Sequence, residues 1–259
     1  MNHEELTTGL KQLKLSSIAL GYVEVAKIAE KEKSTYETYL GKLVEGELAE
    51  KRAAKVKRFL KDAKVTLPKT LDTYDFSVRT GITAKQIRRL AEGQFLREAA
   101  NVVFYGSFGL GKTHLALTLT QMLCENGFRC YFSSTHRLID ELMKAKHDLQ
   151  LASLFKRLDR FDLITCDELG YIPHDQAGAD LFFQLISQRS ERKSMLFTTN
   201  LTYSEWDKVF INPMSTAAAV DRVIHNCETF NIGGKSWRSE EAAKRQKVVL
   251  TKNVTAAIQ

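Results

Sequence analysis

The sequence predicts an α/β fold in which a parallel sheet is flanked by helices and preceded by a small all-helical region. From Asn101 onward, short apolar segments alternate with helical stretches, and this repetition implies a parallel sheet covered on both faces. From Glu4 to Lys64 there is no proline, and leucines recur at helical spacing. The chain has 259 residues, 44% of them apolar, with only 14 glycines and three prolines, which excludes low-complexity and collagen-like classes.

The amino-terminal region is expected to end in one long helix. Ser34 is the predicted cap, with Glu37 three positions later completing a capping box, and the helix is expected to run to about Lys64. Because that length is unusual in a globular domain, we expect a break near Gly41 or Gly46.

The pattern changes near Pro68, the first proline of the chain. The segment TLDTYDFSV follows as a connector, and a short helix is predicted around Lys85 to Ala91. We therefore divide the chain into a helical domain at 1–66, a connector at 67–98 and an α/β domain at 99–259.

Five apolar segments are predicted as the strands of the sheet. They are NVVFYG, FRCYFSS, FDLITCDE, SMLFTTN and ETFNIG. Helices are predicted between them, notably over 113–126 and 175–192.

Charge and cysteine usage narrow the class of protein. Lysine and arginine exceed aspartate and glutamate by seven, which is compatible with a polyanionic partner such as nucleic acid. The four cysteines form no C-x-x-C pair, so neither a zinc site nor a disulfide framework is indicated. No run of about 18 apolar residues occurs, so we expect no membrane association and a cytoplasmic protein.

The segment GSFGLGKT fits the phosphate-loop pattern G-x-x-x-x-G-K-[ST]. An apolar strand precedes it and a helical run follows, which is the context that phosphate binding requires. Glycines let the backbone approach phosphate oxygens, Lys112 would reach the β- and γ-phosphates, and Thr113 would bind Mg²⁺. The predicted ATP-binding residues here are Gly106, Ser107, Phe108, Gly109, Leu110, Gly111, Lys112 and Thr113, together with His114.

Polar residues follow two later strands at the predicted carboxyl edge of the sheet. Asp167 is expected to hold Mg²⁺ through water, and Glu168 to polarise the attacking water. Asn200 is expected to hydrogen-bond the γ-phosphate and that water, or alternatively to cap a helix beginning near Ser204. His114 is expected to be a packed residue in preference to a base.

The segment KRAAKVKRFLKDAK carries seven basic residues and one acidic residue. On a helix, Ala53, Val56, Phe59, Leu60 and Ala63 share one arc, and every basic residue except Arg52 lies opposite. Such a cationic face is either merely solvated or binds phosphates, and without a motif for base readout it suggests sequence-independent DNA contact. The predicted DNA-binding residues are Lys51, Arg52, Lys55, Lys57, Arg58 and Lys61.

Taken together, GSFGLGKTHLA, LITCDELGYIP, TTNLTYSEW and DRVIHNCETFNIGGKSWR, preceded by KTLDTYDF, resemble the IstB-like transposition helper ATPases of insertion sequences. These belong to the AAA+ class and are relatives of the DnaC helicase loaders. The resemblance covers roughly residues 50 to 240. It departs from the family at Ser107 and Phe108, where Pro or Asn is frequent, and at Trp237, where Tyr is usual.

The resemblance implies an ATPase that uses ATP and Mg²⁺, oligomerises on double-stranded DNA, and assists a partner transposase in choosing its target. It implies that Arg222 reaches the γ-phosphate of the neighbouring subunit in a homo-oligomer, so that ATP sites lie at subunit interfaces. Arg238 matches a second family arginine and is assigned to ATP binding. The helical domain is then expected to serve DNA binding and oligomerisation.

Three other functions stay open on the sequence. A helicase loader would prefer single-stranded DNA, and a nucleotide-gated DNA scaffold would bind ATP with negligible turnover. A small-molecule kinase could use the same phosphate loop. Glu168 and Arg222 argue against the scaffold, and the basic helix and Asn200 argue against the kinase.

Overall fold

The computed structural model describes residues 1–65, 69–170, 175–234 and 236, and these residues form two compact units, Met1–Arg58 and Phe59–Gln259. The first unit holds α1 (His3–Gln12), α2 (Ser16–Lys31) and most of α3 (Tyr36–Asp62). The division into domains at residues 66 and 98 stays a prediction.

Helix α3 confirms the predicted long helix but begins one residue later than expected. The backbone amide of Ser34 donates to the carbonyl of Ala29 (2.8 Å), so Ser34 belongs to the turn that ends α2. Thr35 is the cap instead, since its hydroxyl accepts from the amide of Thr38 (3.2 Å). The helix runs unbroken for 27 residues, and the expected break near Gly41 or Gly46 was wrong.

Glu47 of α3 supplies the cap that α2 lacks. Its carboxylate is 6% exposed and accepts from the amides of Ser17 (2.9 Å) and Ile18 (3.1 Å). A carboxylate at a helix amino terminus satisfies free N–H groups and complements the helix dipole. This bond ties α2 and α3 together within the first unit.

The second unit contains the α/β fold. A 3₁₀ turn (Leu71–Thr73), β1 (Arg79–Thr80), α4 (Ala84–Ala91) and α5 (Gln94–Arg97) precede the sheet. The remaining elements are β2 (Asn101–Tyr105), α6 (Lys112–Glu125), β3 (Cys130–Ser134), α7 (Thr135–His147), α8 (Leu151–Leu158), β4 (Leu163–Leu169), α9 (Gln176–Arg189), β5 (Ser194–Thr199), a 3₁₀ turn (Tyr203–Glu205), α10 (Asp207–Phe210), α11 (Pro213–Ile224), β6 (Cys227–Asn231) and β7 (Gly233–Gly234).

Five parallel strands form the main sheet in the order β3-β4-β5-β2-β6, which confirms the predicted fold class and all five predicted strands. Strands β1 and β7 form a separate antiparallel pair. Because β2 lies beside β5, with β4 next to β5, the loops at their carboxyl ends meet at one edge.

Alternate residues of the strands contribute side chains to two hydrophobic cores, one on each face of the sheet. Val103, Ile164 and Phe197 pack with α7 to α11, whereas Val102 and Leu196 pack with α4 to α6 and the end of α3. This alternation follows from the two-residue period of a strand. Both faces are covered, as a parallel sheet requires.

Arg189, at the end of α9, is a buried arginine that joins three segments. Its guanidinium donates to the carbonyls of Leu158 (3.2 Å), Phe161 (3.1 Å), Asp162 (3.3 Å) and Ser194 (2.9 Å). Burial lowers the pKa of Arg189 to about 10, so it stays charged at neutral pH. We infer a structural role for this residue.

Candidate active site

The predicted phosphate loop joins β2 to α6, and its glycines occupy positions where a side chain does not fit. A Cβ at Gly106 would lie 2.2 Å from the carbonyl oxygen of Ile232. Gly111 has a φ of +82° and caps α6 without a side chain, and a Cβ there would lie 2.7 Å from the ring of Tyr74. The first N–H groups of α6 are therefore arranged for an anion at the loop.

Lys112 and Thr113 open α6 directly after the loop. The ammonium of Lys112 donates to the carbonyls of Gly106 (2.7 Å) and Ser107 (2.8 Å), which folds the cation back over the loop. The hydroxyl of Thr113 donates to Oδ1 of Asp167 (3.0 Å). The structure thus brings the loop and the predicted acidic residue together.

Asp167 and Glu168 lie at the end of β4 in different environments. Asp167 is 6% exposed, and burial raises the pKa of its carboxyl, opposed by hydrogen bonds from Thr198 (2.5 Å) and Thr113. Glu168 is exposed and has a φ of +58°. Its amide donates to the hydroxyl of Thr198 (2.9 Å).

The hydroxyl of Thr113 and the carboxylate of Asp167 suit Mg²⁺, an ion that is usually bound by a few protein oxygens together with phosphate oxygens and not by an all-protein cage. Among the described residues no cluster of three or more His, Cys, Asp or Glu side chains is placed to hold a metal ion. Thr113 and Asp167 therefore fit an ion that phosphate oxygens help to bind.

A cavity of about 810 Å³ lies beside the loop. This volume is within the range of small-molecule sites. The residues from the loop, α6 and the strand ends that line it are Phe108, Gly109, Gly111, Lys112, Thr113, His114, Leu117, Glu168, Thr198, Thr199 and Asn200. Gly106, Ser107 and Leu110 complete the loop without lining the cavity.

The connector forms the other wall of this cavity, which the sequence did not predict. It contributes Lys69, Thr73, Tyr74, Asp75 and Arg79. The phenol of Tyr74 is 6% exposed and donates to the carbonyl of Leu110 in the loop (3.0 Å). No motif or spacing rule in TLDTYDFSV pointed to Tyr74 as a residue that packs against the loop.

His114 is bonded to the connector, which favours the packing interpretation. Its Nε2 lies 3.0 Å from the carbonyl oxygen of Thr70 and 3.3 Å from the hydroxyl of Thr73. Its ring is tilted against that of Tyr74, and burial lowers the pKa of the imidazole, which favours the neutral form.

Asn200 follows β5 and lines the cavity. The alternative that it caps a helix near Ser204 was wrong, because Thr202 caps the 3₁₀ turn there with Glu205. Among the hydrogen bonds of the described residues, none involves the side-chain amide of Asn200. It is placed to meet a ligand.

Arg222 lies on α11 and is not among the described residues that line the cavity. Its guanidinium donates to the carbonyl of Ala218 (3.0 Å) and lies over the ring of Phe183, 5.2 Å from its centre. The structure therefore does not bring it to the phosphate loop of its own chain. Arg238 lies outside the described residues, as do residues 171–173 of LGYIP.

The six predicted DNA-binding residues, Lys51, Arg52, Lys55, Lys57, Arg58 and Lys61, are all exposed on α3 and are called the basic stripe. Lys51 lies 3.4 Å from Glu47. Ala53 was wrongly assigned to the packed arc, since it is exposed and the arc begins at Val56. Lys64 lies past the helix and donates to the phenol of Tyr131 (2.9 Å).

Comparison with known proteins gives one consistent family. The profile described as IstB-like ATP binding protein matches residues 8–245. An insertion sequence ATP-binding protein of Sinorhizobium fredii is 36% identical over 241 residues, covering 92% of this chain and 81% of the relative. The insertion sequence IS21 ATP-binding protein of Pseudomonas aeruginosa is 34% identical over 251 residues, covering 97% of this chain and 94% of the relative.

Solved structures show a related fold. The DnaC helicase loader aligns with a TM-score of 0.51 at 23% identity, covering 68% of this chain and 99% of that one. The helices of the described ranges include none long and apolar enough to cross a membrane.

Proposed function

The chain belongs to the family of IstB-like ATP-binding proteins, and from this premise we propose that it is a DNA-dependent ATPase that assists the transposase of an insertion sequence. One observation carries the proposal. Lys112, Glu168 and Asn200 line a single cavity beside the phosphate loop, and Thr113 joins that loop to Asp167.

The phosphate loop binds the triphosphate of ATP. Its glycines leave room for phosphate oxygens, the amino terminus of α6 offers N–H groups, and Lys112 supplies a positive charge. Lys112 then exchanges its carbonyl contacts at Gly106 and Ser107 for phosphate oxygens. The connector supports the loop, since Tyr74 donates to the carbonyl of Leu110 and the carbonyl of Thr70 lies within hydrogen-bond distance of His114.

Glu168 activates water for hydrolysis. Its exposed carboxylate lines the cavity, so it accepts a proton from a water held against the γ-phosphate, which Asn200 orients from the next strand. Thr113 would hold Mg²⁺ directly and Asp167 through water. The ion supplies neutralisation of the phosphate charge.

Arg222 completes the site of a neighbouring subunit. Its place on α11, away from the cavity of its own chain, supports action in trans. An arginine that meets the γ-phosphate stabilises the charge of the transition state. Hydrolysis then requires a homo-oligomer.

The basic stripe binds double-stranded DNA through its phosphates. Its six exposed cations lie on one helix and offer no residue pattern for base readout, so we assign sequence-independent contact. The names of the relatives place them in insertion sequences, which supports a transposase encoded by the same element as the partner of this chain. These processes take place in the cytoplasm.

The helicase-loader alternative draws on the fold shared with DnaC, and the scaffold alternative on nucleotide binding alone. Electron microscopy of the protein with ATP and either duplex or single-stranded DNA tests the proposal. We expect regular assemblies on the duplex. Assemblies confined to single strands would favour the loader.

A further inference from the structure

We propose that Thr198 is a positioning residue that sets both carboxylates of the site, an inference that rests on the proposed ATP hydrolysis. Thr198 lies on β5, is 1% exposed, and was not singled out from the sequence. Its hydroxyl contacts two consecutive residues of β4 that have different roles.

The pairing of β4 with β5 is interrupted where the two carboxylates lie. Cys166 pairs with Phe197 and Leu169 with Thr199, so three steps along β4 match two along β5. This is a one-residue bulge that contains Asp167 and Glu168, and bulges redirect side chains beside functional sites.

The bulge explains how neighbouring carboxylates serve one site. In a regular strand successive side chains lie on opposite faces. Here Glu168 adopts a φ of +58°, which is unfavourable for a residue with a Cβ, and its side chain reaches the cavity while Asp167 reaches Thr113. Something must hold this backbone in place.

Thr198, on β5, holds the backbone of the bulge in place through two hydrogen bonds. Its hydroxyl donates to Oδ1 of Asp167 (2.5 Å) and accepts from the amide of Glu168 (2.9 Å). One hydroxyl can do both, because it has one hydrogen and two acceptor sites. The side chain thus fixes the carboxylate of one residue and the backbone of the next.

Thr135, at the start of α7, holds the same peptide unit from the opposite side. Its hydroxyl is buried and donates to the carbonyl of Asp167 (2.9 Å). The peptide between Asp167 and Glu168 is therefore bonded to a threonine through each of its polar groups. Thr198 is the only one of the two that also contacts a carboxylate among the bonds the structure describes.

The test compares Thr198→Val, which keeps the shape and removes the hydroxyl, with Thr198→Ser, which keeps the hydroxyl. Thr165→Val is the matched control, because Thr165 is buried on β4 and bonds only to the hydroxyl of Thr120 (3.1 Å) among the described contacts. Each variant is measured for melting temperature, kcat with duplex DNA, and affinity for a fluorescent ATP analogue with and without Mg²⁺.

We expect Thr198→Val to lower kcat by about 10- to 100-fold, the usual effect of losing a partner of a metal-site ligand. Its affinity for the analogue without Mg²⁺ should match wild type, whereas the gain in affinity on adding Mg²⁺ should shrink. Thr198→Ser should recover most of both losses, and Thr165→Val should show neither.

The inference is overturned if Thr198→Val matches Thr165→Val in kcat and in the Mg²⁺-linked affinity, since Thr198 would then only stabilise the sheet. Failure of the proposed function looks different, because wild type itself would then hydrolyse no ATP with DNA. In that case the Mg²⁺-linked affinity still decides the role of Thr198.

Discussion

Removing charge from the basic stripe should weaken DNA binding and make the affinity for DNA less dependent on salt concentration. We consider the fourfold replacement of Lys51, Lys55, Arg58 and Lys61 by Gln. These residues are exposed, and the ten helical steps from Lys51 to Lys61 cover about 15 Å of helix, so they can meet successive phosphates of one duplex. Lys51, Lys55 and Arg58 lie in the first unit and Lys61 in the second. None of the four lines the cavity beside the phosphate loop, so ATP binding by isolated subunits should be unchanged.

The size of the effect follows from counterion release. Each phosphate neutralised adds about 0.9 to the slope of log affinity against log salt concentration. Lys51 shares its charge with Glu47 and should contribute less than a full contact. We therefore expect the slope to flatten by about 3 units. Between about 50 and about 200 mM salt, wild type should lose roughly 60-fold more affinity than the variant.

Fluorescence anisotropy with a labelled duplex, titrated at several salt concentrations, measures this slope. The matched control replaces four other exposed lysines by Gln, which gives the same change in net charge away from the stripe: Lys11, Lys14, Lys31 and Lys33. An unchanged slope in the stripe variant, or an equal flattening in the control, would refute the assignment. The DNA site would then be sought at Lys85, Arg88 and Arg89 or in 235–252, which lies outside the described residues apart from Ser236.

Four further outcomes are expected. Lys112→Ala should lose binding of a labelled ATP analogue while its circular dichroism spectrum stays that of wild type, because Lys112 is the first residue of α6 and lies outside the core. Glu168→Gln should bind ATP and assemble, but its hydrolysis rate should fall by about 100-fold or more; a fall within about threefold would show that another group is the base. Arg222→Ala should bind ATP without hydrolysing it, and mixing it with Lys112→Ala should restore some activity at mixed interfaces; no recovery despite proven co-assembly would exclude a shared site. Arg189→Lys should lower the free energy of unfolding by about 3 kcal/mol in urea denaturation, since a lysine cannot reach four carbonyls, whereas Arg192→Lys on the exposed surface should change it by less than about 0.5 kcal/mol.

The elements that the sequence predicted correctly are those with local signals. The five strands followed from apolar runs bounded by turn residues. The phosphate loop followed from a motif whose glycines are required by a close backbone contact at Gly106 and by the ring of Tyr74 at Gly111. The first residue of α3 was harder to predict, because Ser34 and Thr35 are both residues that cap helices well. The end of the preceding helix decides between them.

The features that sequence reasoning missed depend on contacts between distant segments. Thr198 and Thr135 are ordinary threonines until the bulge in β4 places a peptide between them. The connector gave no sign that Tyr74 would pack on the loop and form a cavity wall. Arg189 resembled a surface residue at the end of a helix, and only tertiary packing surrounds it with carbonyl groups.

The central claim is that ATP is hydrolysed at the phosphate loop and that duplex DNA drives this activity. The most direct measurement is the rate of phosphate release by wild type and Lys112→Ala without DNA, with single-stranded DNA and with duplex DNA. We predict that wild type releases phosphate fastest with the duplex and that Lys112→Ala releases none above background in any condition. Equal rates for the two proteins, or no stimulation by duplex DNA, would contradict the claim.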